Sequence, residues 1–344
     1  MTSPASQRNL RLDTAKGLLI FAVVLGHFLE EIGSWKADGT RLALTGIYMF
    51  HMPAFVFLAG VTAKTSRLGQ RIGTFAVILA AFQALYYIFV SVLGIDRDFS
   101  IERPFWILWF LLGMMWWLLL LPIITRFPKA AIALSIVVAL VVGALDSVGY
   151  SLSLSRALVF LPFFVVGATH GKRIVRVLGE ASWVWKAVAV AAALGGWLLV
   201  CSWDIPHQWL YGSFSFDRLD TPDVLGLGTR AALLILAAVA IGALLCTAPN
   251  RPGLLARLGQ HSLAIYVLHG FVVLAVAEAL PAIQDIWGSA GVLALGLVLA
   301  AVTTLLLALP VFENTIRRAS SYVVTSYSAA VAKSSGERVD ARQT

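Results

Sequence analysis

Apolar runs of about 20 residues, each long enough to span a bilayer, recur along this chain and are separated by short polar stretches. Reading them from loop to loop predicts about ten helices, near residues 14–32, 44–62, 72–94, 104–121, 130–146, 156–171, 187–202, 229–247, 262–280 and 288–311. The fifth and sixth are short or interrupted, and Pro162 falls inside the sixth. The pattern predicts an all-α, polytopic transmembrane bundle. No internal repeat is visible, which weighs against a transporter built from inverted repeats. The first run continues into a polar loop with no A-x-A-like site after it, so it reads as a retained span and not as a signal peptide. Two regions follow from the pattern. Residues 1–318 form an integral-membrane unit, and 319–344, small and polar, are expected to form a flexible cytoplasmic tail.

The polar positions between the runs are sorted by sign. Basic residues gather in alternate loops: Arg8, Arg11 and Lys16; Lys64, Arg67 and Arg71; Arg126 and Lys129; Lys172, Arg173 and Arg176; Arg251 and Arg257; Arg317 and Arg318. The intervening loops carry Glu30, Glu31 and Asp38; Asp96, Asp98 and Glu102; Asp146; Asp204, Asp217, Asp220 and Asp223; and Asp285. This is the positive-inside pattern, and it places both termini in the cytoplasm. The formal net charge of +8 therefore reports orientation and calls for no nucleic-acid partner. Composition agrees: 59% of residues are hydrophobic and 13% charged, against about 25% charged in soluble domains. Cys201 and Cys246, the only cysteines, offer neither a metal-ligand spacing nor a disulfide framework.

Against this background, polar residues inside the spans stand out. An ionisable side chain deep in a bilayer is costly and marks a functional site by default. The stretch RLDTAKGLLIFAVVLGHF (Arg11–Phe28) holds three. Lys16 and His27 are eleven positions apart (27 − 16). Eleven helical steps of about 100° return to within roughly 20° of the start, and about 1.5 Å per residue sets the two roughly 16 Å apart along the axis. Asp13 lies one turn before Lys16, so all three share a face. A neutral His27 can accept a proton at neutral pH. His51, in GIYMFHMPAFVFLAG with Pro53 two positions on, should lie at a similar depth on the next helix. It reads either as a partner of His27 in one polar cavity or as a histidine bonded to a carbonyl freed by the proline. Ser262, Tyr266 and His269 share a face by their i, i+4, i+7 spacing, which either lines the same cavity or packs on a neighbouring helix. Trp109, in RPFWILWFLLGMMWW, either walls a substrate tunnel or belongs to an aromatic helix interface. The longest acidic-side loop, from about 202 to 228, is rich in aromatics and carboxylates. It suits sugar binding, or an interfacial aromatic belt.

Those same residues resemble the membrane-bound acyltransferase family 3, which includes sugar O-acetyltransferases. RLDTAKG followed by His27 is similar to that family's signature of a basic residue, ten residues and a histidine, here Lys16 and His27. The resemblance continues in order through FHMPAFVFLAG (Phe50–Gly60), Arg67 and Arg71, WFLLG (Trp109–Gly113), RALVFLPFFVVG (Arg156–Gly167) and LGQHSLAIYVLH (Leu258–His269). It does not extend to the C-terminal hydrolase domain of some relatives, so a fused second transfer step is not expected.

The resemblance implies an O-acyltransferase in the bacterial inner membrane. The expected donor is acetyl-CoA, used as a co-substrate with no tightly bound cofactor, and the acceptor is a sugar or polysaccharide hydroxyl. His27 would be the general base, with His51 in the same cavity. Lys16 would meet a CoA phosphate or the developing oxyanion, and Asp13 would hold Lys16 or orient the donor. Arg67 and Arg71 would meet the CoA phosphates, or serve only as positive-inside anchors. Tyr266, His269 and Trp109 would line the substrate pathway. The rival reading is a transporter or flippase for a lipid-linked saccharide, which needs buried polar residues but no cytoplasmic cation beside a buried histidine. A scaffold subunit of a polysaccharide synthase is a third class, and it needs no His27. The sequence leaves oligomeric state open.

Overall fold

A computed structural model describes residues 9–95, 100–203, 205–280 and 283–340. Arg8, Asp96, Asp98, Asp204 and the last four residues of the expected tail lie outside that set. Each of the ten apolar segments folds as a helix. In chain order they are α1 (Leu10–Ile32), a broken pair α2 (Asp38–Tyr48) and α3 (His51–Thr62), α4 (Leu68–Val92), α5 (Trp109–Arg126) and α6 (Pro128–Val141). Then come a second pair, α7 (Leu154–Val159) and α8 (Leu161–Gly179), then α9 (Trp183–Ser202), the short α10 (Gln208–Tyr211) and α11 (Asp223–Thr247). The chain closes with α12 (Leu254–Gln260), α13 (Ser262–Ala279), α14 (Ile283–Leu307) and α15 (Pro310–Asp340).

Among the described residues, eight helices are long and apolar enough to cross a membrane, or nine if α7 and α8 count as one span. Two local causes account for the difference from ten. The helix over Pro128–Ala144 is short, and at about 1.5 Å per residue it falls short of a roughly 30 Å hydrocarbon core. The α7–α8 pair bends by 55°. Phe160 separates the two helices, and Pro162 sits in the first turn of α8, where its missing N–H costs nothing. The bend tips α7, and Arg156 on it, into the bundle.

The loops gather at two ends. At the basic end the Arg11 N–H donates to Asn250 Oδ1 (3.1 Å) and Gln260 Nε2 donates to Asp13 Oδ2 (3.3 Å). At the acidic end the Leu152 N–H donates to the Glu102 carbonyl (2.7 Å) and the Phe216 N–H to that of Gly143 (2.6 Å). The central helix is α1, which packs on α12, α13, α14 and α3. Lipid offers no hydrophobic drive for helix association, so close approach relies on small residues. Here a Cβ on Gly17 would fall on the Leu255 carbonyl, and one on Gly259 on that of Asp13. Those two glycines set α12 against α1 and so fix where α13 begins. The last helix, α15, packs on α4 and α13. Its Glu313, only 3% exposed, accepts from the Ala264 N–H (2.9 Å) in the first turn of α13 and from Arg317 Nε (2.6 Å).

Candidate active site

Two cavities lie along α1. The first, about 270 Å³, sits toward the acidic end and is lined by His27, Glu30, His51, Trp106, Trp109 and Arg156, among others. The second, about 190 Å³, lies toward the basic end and is lined by Lys16, Ile20, Phe55, Phe75, Phe110 and Ser262, among others. Val23, Met52 and Tyr266 line both. The shared face that the spacing predicts for Lys16 and His27 therefore becomes the wall of two adjoining chambers.

Local breaks put polar side chains into the first chamber. The second span interrupts itself at Met49 and Phe50, so His51 opens α3. Its Nδ1–H donates to the Ile47 carbonyl (2.8 Å), which also takes the Phe50 N–H at the break (3.4 Å). His51 thus serves the kink and lines the chamber at once. His269, fully buried, donates from Nδ1 to the carbonyls of Ile265 (3.0 Å) and Tyr266 (2.8 Å), and its Nε2 has no hydrogen-bond partner. Its ring stacks on His27 at a centroid distance of 5.4 Å, while Trp106 meets His27 edge-on at 4.7 Å. The Tyr266 hydroxyl donates to the Ile107 carbonyl and fixes that side chain between the two cavities. Trp109 both lines the chamber and packs on Phe110 and Phe160.

The hydrogen bonds of Glu30 settle the tautomer of His27. Glu30 lies at i+3 from His27, with 3.6 Å between Oε2 and Nδ1. Its carboxylate accepts from the Tyr48 hydroxyl, from the Tyr211 hydroxyl and from Trp35 Nε1 (3.2 Å). Tyr48 Oη also lies 3.3 Å from His27 Nδ1. A phenol has one proton, and Tyr48 gives it to Glu30. Its oxygen can then only accept from His27, so the imidazole carries its proton on Nδ1 and its lone pair on Nε2. A base with a committed Nδ1–H and a carboxylate behind it is arranged to take a proton at Nε2 and to tolerate the resulting cation. Above this network α10 closes the acidic end. His207 stacks on Trp35 at 4.6 Å. Burial pushes the His207 imidazole below its usual value, and burial followed by the Glu30 charge holds the Tyr211 hydroxyl protonated well above the usual phenol range.

The family model for the acyltransferase domain matches residues 9–311. The chain belongs to acyltransferase family 3. Two curated relatives are similar over part of their length. Nodulation protein NolL of Sinorhizobium fredii (strain NBRC 101917 / NGR234) is 33% identical over 129 residues, 32% of this chain and 35% of that protein. Nodulation protein NolL of Mesorhizobium japonicum (strain LMG 29417 / CECT 9101 / MAFF 303099) is 40% identical over 57 residues, 16% of this chain and 15% of that protein. The matches thus span about a third or less of these relatives. No solved structure matches the chain.

The structure places the other expected residues as follows. Lys16, half-buried, lines the second cavity only. Asp13 is buried and held by Gln260. Arg67 is exposed and takes a left-handed conformation (φ 53°) as the residue before α4, and Arg71 Nε donates to the Ser66 carbonyl (3.1 Å). Neither arginine lines either of these two cavities, although Phe75, one turn beyond Arg71, lines that of Lys16. Sequence reasoning missed Glu30, Tyr48, Trp106, Arg156 and Tyr211 as parts of the site. Glu30 had a usable signal, since i+3 from His27 is the same helix face. Arg156 had a weaker one, a basic residue at the acidic-side end of a span.

Proposed function

We propose that this acyltransferase moves an acetyl group from cytoplasmic acetyl-CoA to a hydroxyl of a cell-envelope or secreted glycan, or of its lipid-linked precursor, in the bacterial plasma membrane. The observation that carries this reading is the pair of cavities meeting at Val23, Met52 and Tyr266, with Lys16 on one side and the His27 lone pair on the other. Lys16 suits a CoA phosphate at the basic end. The narrow, mainly apolar second cavity suits the pantetheine arm, and the first is of a size for one sugar ring. The acceptor hydroxyl would then meet His27 Nε2 at the junction, where the thioester arrives.

The deciding experiment is mass spectrometry of surface glycans from cells with the gene, without it, and with His27→Ala. Acetyl groups should be present in the first and absent from the other two. Normal acetylation in both mutant cells would sink the reading, as would purified protein that moves a saccharide across vesicles but transfers no acyl group. Sidedness has its own check. Single cysteines near Arg173 should resist an impermeant thiol reagent in intact cells, and those near Asp217 should react. The reverse would put Lys16 away from any CoA pool.

A further inference from the structure

Arg156 lines the His27 chamber yet is only 9% exposed. A guanidinium at that depth is expensive unless something offsets its charge. Protein groups supply little. Its ring contacts are with Trp109 (5.0 Å) and Tyr150 (4.8 Å). Its Nη2 donates to the Tyr150 hydroxyl (2.6 Å), and its Nε is buried with no partner. Among the described residues no carboxylate lies within ion-pair distance of it. Glu30 is already occupied by Tyr48, Tyr211 and Trp35.

The second buried arginine, Arg230, also leaves nitrogens without a partner, Nε and Nη1, but it lines a separate small cavity. It donates to the Phe214 carbonyl (3.4 Å), lies between the Trp209 and Phe216 rings (5.5 Å from each), and is absent from the His27 chamber. Its contacts tie α11 to Trp209, Phe214 and Phe216. Arg156 instead faces the space in which acyl transfer would occur.

That transfer creates a negative charge. The chamber walls already hold the carboxyl groups of Glu30 and Glu31, which oppose a further anion. Lys16, on the other cavity, is not placed to help. We infer that Arg156 is the oxyanion-binding residue of the transfer step, an inference that rests on the acyl-transfer reading. His27 Nε2 takes the proton of the acceptor hydroxyl as the oxygen bonds to the thioester carbonyl carbon. The carbonyl oxygen becomes an oxyanion and is held by the Arg156 guanidinium. Collapse re-forms the C=O bond and breaks the C–S bond. The CoA thiolate leaves and takes the proton from the His27 imidazolium, so the base and the cation return to their starting states.

The test uses membranes from cells that carry the gene, with their own acceptor and radiolabelled acetyl-CoA. Removing one preorganised oxyanion donor typically lowers turnover by about 10²–10³-fold. Arg156→Gln should lower the maximal rate by that order with KM for acetyl-CoA within about threefold of wild type, and Arg156→Lys should recover part of the loss. An unchanged maximal rate with a raised acceptor requirement would overturn the inference and make Arg156 a recognition site for an anionic group on the acceptor. If Arg156→Gln does not accumulate, Tyr150→Phe, which releases the guanidinium and keeps its charge, is read instead. A lower rate at unchanged KM upholds the inference, and a wild-type rate overturns it. Wild-type membranes that incorporate no label would remove the acyl-transfer reading, and this inference with it.

Discussion

The two chambers on α1 share three side chains, and their chemistry otherwise divides. The His27 chamber is walled by two histidines, two carboxyl side chains, an arginine and several phenol and indole groups. The Lys16 chamber is walled chiefly by Phe, Ile, Leu and Met, with Lys16, Thr62 and Ser262 as polar exceptions. Buried polar groups cost free energy unless they are satisfied, so a membrane protein concentrates them where they are used. The contrast teaches a division of labour. Proton and charge handling belong to the first chamber. On the proposed reading, the second guides a flexible, mostly neutral chain past a single charge.

Substitutions at four positions can break or sharpen that contrast. His27→Ala should reduce transfer by about 10²–10⁴-fold with normal insertion, measured as label incorporation against immunoblotted protein. Near-normal incorporation would remove the chemistry from the first chamber. Glu30→Gln keeps the shape but removes the charge behind His27. It should lower turnover, as neutralising the carboxylate behind a catalytic imidazole does elsewhere, with KM for acetyl-CoA unchanged. A pure KM effect would place Glu30 in binding and blur the division. Lys16→Ala should do the opposite and raise KM for acetyl-CoA roughly tenfold or more, the worth of one charge-assisted hydrogen bond, at a near-wild-type maximal rate. Lys16→Arg should keep part of the affinity. If Lys16→Ala changes neither parameter, the second chamber has no donor role. Arg67→Gln should have the smallest effect, about twofold in KM at low salt and vanishing at high salt, because an exposed charge is screened. A larger effect that persists in salt would extend the donor site from Lys16 to α4.

The fold was legible because lipid imposes a simple rule on a spanning segment. Each of the ten apolar runs is helical, two of them as broken pairs, and the two runs that looked short or interrupted are the two that do not span cleanly. The face shared by Asp13, Lys16 and His27 was legible for a similar reason, since α1 is a continuous helix and its period carries over eleven residues. Where the helices break, the reading ended. His51 reaches the chamber through the interruption at Met49–Phe50, and Arg156 through the bend at Phe160. Neither departure has a local sequence signal as strong as an apolar run. Glu30 was hidden differently. Counting charges by loop assigned it to the acidic end, although its position on α1 already set it beside His27. The separation of Lys16 from the His27 chamber depends on how Val23, Met52 and Tyr266 stand between the two cavities, which is a matter of packing among three helices.

Glu313 has a consequence for how this unit can be cut and recombined. The family match ends at residue 311, and the last apolar helix long enough to cross a membrane ends at Leu307. A chimera joined at either point would look complete by sequence. It would nevertheless lose the carboxylate that holds the Ala264 N–H at the start of α13, the helix that carries both Tyr266 and His269. The first turn of α15 is therefore an inseparable part of the exchangeable module, and the safe junction lies beyond Arg317, the side chain that in turn holds Glu313.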